Sequence, residues 1–138
     1  VADDAIAALC GLWNSEPGLQ VLCSGRRLFA DEAPAGTALP YAVATTVSGP
    51  VEELNHGAGY TLTQTVQISY FAATRAEAMR GIREIRERVR LATLTIGGRA
   101  TREVFVEGGS GQIDPTPSPA GGPVFQQTCD FLITWPTD

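Results

Sequence analysis

The 138 residues carry 15 acidic and 10 basic side chains, a net charge of −5. That balance excludes a protein built to grip nucleic acid, which needs cationic surface to displace counterions from phosphates. With 43% hydrophobic and 18% charged residues, the chain reads as one folded domain over residues 1–138, not as a disordered segment, and it is long enough for a core without staples.

All ten cations are Arg. Cys10, Cys23 and Cys129 are odd in number and lack Cys-x-x-Cys spacing, and His56 is the lone histidine. No zinc site follows from that set. Cys10 and Cys129 sit in apolar patterns and are expected as buried thiols, as suits a reducing cytoplasm. No charged segment followed by an apolar one opens the sequence, so no signal peptide is expected. No apolar run is long enough for a membrane span.

A first helix is capped by Asp3 or Asp4. Its apolar stripe is Ile6, Leu9, Cys10 and Trp13, at i, i+3, i+4 and i+7. Asn14-Ser15-Glu16-Pro17-Gly18 has the chemistry of a helix stop. A short strand is expected over Arg27–Ala30, a loop over Asp31–Thr37, and a strand over Pro40–Val47 with Pro at its first position. Gly49–Gly59, rich in Gly, Pro and acid, predicts a long exposed connection.

Tyr60–Phe71 is the clearest strand. Leu62, Val66, Ile68 and Tyr70, with Gln64 among them, alternate with Thr61, Thr63, Thr65, Gln67 and Ser69. Thr74-Arg75-Ala76-Glu77 then forms a capping box. The helix it starts continues to about Leu91 on Ala78, Ile82, Ile85 and Val89. Arg80–Glu84 and Glu84–Arg88 are placed for i,i+4 pairs. Its six Arg are offset by Glu77, Glu84 and Glu87, so a solvated face is the plain reading.

Gly97-Gly98 predicts a hairpin between Leu94–Ile96 and a strand over Ala100–Val106. Glu107–Pro123 reads as a long flexible loop. Val124–Trp135 is the last strand, with Phe131, Ile133 and Trp135 on one face. The sum is an α+β fold. A mostly antiparallel sheet of four to five strands packs with two helices, with long loops near 49–59 and 107–123.

The search for chemistry ends mostly empty. His56 falls in a polar loop. Gly108-Gly109-Ser110-Gly111 lacks the closing Gly of a nucleophile elbow and the Gly-Lys-Ser/Thr of a phosphate loop. No carboxylate pair spans a cleft. Neither an enzyme nor a cofactor is expected.

The order of elements resembles the tail-completion proteins of long-tailed phages, also called tail terminators or tail-to-head joining proteins. The residues that carry the resemblance are Leu12-Trp13-Asn14, Leu39-Pro40-Tyr41-Ala42-Val43, Val66–Phe71 running into Thr74–Ala78, and Gln126–Trp135. The likeness covers most of the chain as a pattern of elements. The segment 107–123, longer than a bare hairpin, departs from it. The resemblance implies a virion protein, made in the host cytoplasm, that forms a six-fold ring at the head-proximal end of the tail tube. Its partners would be further copies of itself, the tail tube protein and neck or head-completion proteins. DNA would pass through only as cargo, and no membrane is involved.

The residues expected at contacts are Glu52, Glu53, His56, Arg83, Arg86, Arg90, Gln112 and Asp114. They fall in the two long loops and on the Arg-rich helix. Deleting residues 108–122 is expected to leave a folded monomer. Two other readings stay open: a neck stopper or head-completion protein, and a small α+β module that binds a ligand or a protein.

Overall fold

The fold comes from a computed structural model. It describes residues 4–55, 59–101, 103–114 and 121–136, without the side chains of 53–55, 59, 103, 105, 107 and 112–114. Helix α1 spans Ala5–Ser15, and Asp4 caps it by accepting from Ala7 N at 2.9 Å. Pro17 does not merely stop this helix. It takes the first position of a second short helix, α2 (Pro17–Gln20), where its missing N–H costs nothing. Glu16 caps α2 through Gly18 N, and a 3₁₀ turn, Val21–Cys23, follows. Among the described residues there are therefore three α-helices, one more than the sequence predicts.

Strand β1 (Phe29–Ala30) pairs parallel with β2 (Tyr41–Asn55). β2 runs antiparallel to β3 (Gly59–Ala72) along its whole length. The expected loop at 49–59 is thus mostly strand, and residues 56–58 lie outside those described. Register shifts on either side of Ser48 absorb Gly49 and Pro50, since a bulged outer strand tolerates Pro where an inner one does not.

Helix α3 (Arg75–Leu91) starts at Thr74, whose Oγ1 accepts from Glu77 N. Glu84 pairs with Arg88 at 2.7 Å and not with Arg80. An acid N-terminal to its base is the better order along a helix. β4 (Thr95–Ile96) and β5 (Arg99–Ala100) form a separate two-stranded hairpin around Gly97-Gly98.

β6 (Glu103–Asp114) and β7 (Val124–Pro136) complete a five-stranded sheet of order β1-β2-β3-β7-β6. Gly108–Gly111 is therefore paired strand and not linker. Each of these residues has a partner in β7, from Asp130 to Gln127. Deleting 108–122 would remove half of an edge strand, so the expectation that it trims only a loop is corrected.

The core lies on one face of the sheet. Ile6, Leu9 and Trp13 of α1 and Ala78, Ile85 and Val89 of α3 cover Val66, Ile68, Tyr70, Phe131, Ile133 and Trp135. Gly81 is buried in the helix–sheet contact, and a Cβ there would run into the Tyr70 ring. Gln64, in line with the apolar face of β3, is 1% exposed. Its Oε1 accepts from Ala5 N at 3.0 Å and its Nε2 donates to Thr46 Oγ1 at 3.0 Å, so its amide ties the start of α1 to the sheet. Cys23 and Cys129 are buried. Cys10 is only half-buried, its Sγ donating weakly to Leu28 O, because it stands at the flank of α1 and not at its centre.

Candidate assembly interface

The helices cover one face of the sheet and leave the other open. On the open face the strands place Thr63, Thr65, Gln67 and Ser69 opposite Thr134, Leu132, Asp130 and Thr128, with Thr65, Ser69 and Thr128 sunk between their neighbours at 9%, 7% and 8% exposed. Directly opposed polar side chains bond across strands. Thr63 Oγ1 and Thr134 Oγ1 are 3.2 Å apart, Gln67 Nε2 donates to Asp130 Oδ1 at 3.0 Å, and Ser110 and Thr128 share hydroxyls at 3.1 Å. Strands β2, β3, β6 and β7 contain no Arg or Lys. At the β1 margin the face turns aromatic. The Tyr41 and Phe71 rings stack at 4.7 Å, Phe29 meets Tyr41 edge-on, and Arg27 lies over Phe29.

At the far edge, a groove of about 660 Å³ separates α3 from β6 and β7. Its floor lacks side chains where β6 passes Cys129 and Gln127, because Gly109 and Gly111 stand there. A Cβ at Gly109 would strike the Thr128 carbonyl. Its helix wall carries Arg75, Met79, Ile82, Arg83 and Arg86, and Phe125 closes the strand side.

At about 100° per residue, Arg75, Arg83, Arg86 and Arg90 fall on the β6 flank of α3, Glu77, Glu84 and Arg88 fall on the other, and Arg80 and Glu87 lie between the two on the outer side. The second flank is neutralised internally: Arg88 bridges Glu84 and Glu16, at 2.7 and 3.0 Å. Among the described residues, Arg75, Arg83 and Arg86 have no ion pair.

The residues expected at contacts separate into two groups. Arg83 and Arg86 line the groove. Arg90 does not; it holds Glu87 at 2.7 Å, which keeps that carboxyl below its ordinary pKa. Gln112 and Asp114 lie in β6, opposite Gln126 and Val124. Glu52 and Glu53 lie at the other edge of the sheet, in β2, paired with Leu62 and Thr61. His56 lies outside the described residues. The sequence reading missed Arg75, Met79 and the glycine floor. A helical wheel holds the first two, but only the strand order reveals the floor.

Among the described residues lining the groove, no His, Asp or Glu stands beside Ser110, Thr128 or Cys129 to activate it. Burial pushes the Cys129 thiol up to about 11 and the Cys23 thiol up to about 12, so both are protonated at neutral pH. Among the described residues no three His, Cys, Asp or Glu side chains gather as metal ligands.

These features define a small α+β structural subunit whose distinguishing features are surfaces and edges. The family model described as tail completion protein gp17 matches residues 6–122, and the chain belongs to that family. It is thus a structural component of a phage-like virion tail. The fold is similar to that of a chain in the solved virion of a native gene transfer agent (GTA) particle. The TM-score is 0.71 and the identity 14%, over 94% of this chain and 92% of that one. No curated protein sequence matches the chain significantly.

Proposed function

We propose that residues 1–138 act as one domain that assembles head-to-tail into a ring, hexameric by resemblance. The ring sits at the head-proximal end of the tail tube, ends the tube and joins it to the neck or head. The observation that carries this reading is the open sheet face, wide, polar and built from four strands without a single cation. Turned toward the lumen, such a face offers DNA phosphates one cation, Arg27 at its β1 margin, and so little to bind that DNA slides. Six copies at −5 each bring roughly −30 to the ring, a field that keeps DNA off its wall.

The two edges of the sheet are unlike, which suits heterologous contacts whose rotation closes. Glu52 and Glu53 serve the β2 edge, and His56, outside the described residues, is proposed as a further contact. Arg83, Arg86, Arg90, Gln112 and Asp114 serve the α3–β6 edge. Tail tube and neck proteins would take the two rims of the ring.

Electron microscopy of tails carrying a labelled copy tests the proposal. The expected result is a ring of label at the head-proximal end. Label on the head after tails are removed would favour the neck stopper reading. Particles without label would overturn both.

A further inference from the structure

The β6 flank of α3 concentrates positive charge in a chain that is acidic overall. Arg75, Arg83 and Arg86 stand along one wall, with Met79, 43% exposed, and Ile82 between them. From Arg75 to Arg86 the wall runs about 16 Å along the helix, the length of about five residues of extended strand. The groove therefore has the dimensions and lining for an extended segment that carries both acid and apolar side chains.

The opposite edge of the same sheet offers such a segment. β1 pairs with β2 only at Val43 and Ala44. Beyond them, among the described residues, the outer edge of β2 has no strand partner. That edge exposes Val47 at 56% and Val51 at 53%, and Glu52 is exposed beside them. Register pairs Glu52 with Leu62, which packs on the core cluster, so Glu52 stands on the side of the sheet that the helices occupy. The arginine wall is on that side too. When one copy's β2 edge meets the next copy's β6 edge, Glu52 comes alongside α3 without either sheet turning over.

We infer that the Arg75–Arg83–Arg86 groove receives the outer edge of β2 at Glu52 from the adjacent copy, with the Glu52 carboxylate set among the arginines and Val51, paired with Thr63, on the open face outside the groove. The inference rests on the ring reading above and assigns its subunit contact. Charge complementarity identifies the occupant, because the cations of one edge and Glu52 at the other are separated by the width of the sheet within one copy. They can meet only between copies.

Charge exchange tests it in tails from cells whose sole source of the protein is the variant. R83E/R86E alone and E52R alone should each abolish rings on tails, and the chain carrying all three changes should recover them. Circular dichroism of the purified variants should match the parent. If a reversal unfolds the chain, R83Q/R86Q removes the charge with less perturbation and should still lose rings. Single reversals that assemble like the parent would overturn the inference. So would losses that the combined chain does not repair, which would place the groove's acidic partner on another protein. A second readout separates this from the ring itself. Glu52→Cys with Arg83→Cys in one chain should give, after oxidation of tails, a ladder of linked copies on a non-reducing gel. A ring seen by microscopy without a ladder overturns the groove contact and leaves the ring standing. Unmodified tails without a ring overturn the ring reading itself.

Discussion

Replacing Gly81 by Ala measures how closely α3 lies on the sheet. A Cβ at Gly81 falls 2.7 Å from Tyr70 Cζ and nearer still to the ring edge. The ring has little freedom to yield, since Tyr70 is 4% exposed and its hydroxyl donates to Leu22 O at 2.6 Å. Three effects compete. Removing a glycine from a helix interior gains about 1 kcal/mol. Forcing a methyl into a filled contact costs about 1–3 kcal/mol. Moving Tyr70 off Leu22 adds about 1 kcal/mol. The net is a loss of about 1–3 kcal/mol, a fall in Tm of about 3–10 °C for a chain of this size. Urea unfolding reads it through Trp13 and Trp135, both buried. In a Tyr70→Leu background the ring is gone, and Gly81→Ala should turn stabilising. A Gly81→Ala chain as stable as the parent would refute the close approach, and with it the account of how α3 is held beside the groove.

Gln64→Leu should cost about 1–3 kcal/mol in urea unfolding, because Ala5 N–H loses its buried acceptor. Thr74→Ala should cost about 1 kcal/mol through loss of the α3 cap and lower the melting temperature, with Thr74→Ser close to the parent. Stability should hold below pH 9 and fall above it, in reductant. Burial raises Cys23 from 9.0 to about 12 and Cys129 from 9.0 to about 11. The unfolded chain therefore sheds these protons first, at up to about 1.4 kcal/mol per pH unit for each group. Cys23→Ala should flatten that slope, as urea midpoints at pH 7.5 and pH 10 would read.

Where local chemistry and tertiary placement agree, the sequence is readable. The Ile6-Leu9-Trp13 stripe, the β3 alternation and the Thr74 cap all stand where the pattern puts them. The reading fails where pairing overrides local preference. Gly49-Pro50 and Glu52-Glu53 have the chemistry of a loop, yet β3 supplies a ladder for the whole of β2, and bulges take up the misfit. Gly108–Gly111 has no side-chain reason to be a strand. It becomes one because β7 lies beside it, a partner that begins more than ten residues later in the chain. The groove depends on the same long-range event, so its arginines were visible in the sequence while its floor was not.

The glycines of β6 and the arginines of α3 make sense only together. Side chains at Gly109 and Gly111 would stand on the helix side of an edge strand and close the space under Met79 and Ile82, as Val104 and Val106 do nearer the core. Glycine in a strand weakens pairing, and an edge strand with bare backbone invites association with other chains. A fold that kept such an edge for its own stability would be poorly served by it. An edge that a neighbouring copy completes is a different matter. The unpaired arginines then set which segment enters, and the excess of acid on the chain as a whole supplies one on the opposite side of the sheet. A homologous protein with large residues at positions 109 and 111 would have to lose the groove. It should then carry its arginines paired within the helix, as Arg88 is here with Glu84 and Glu16.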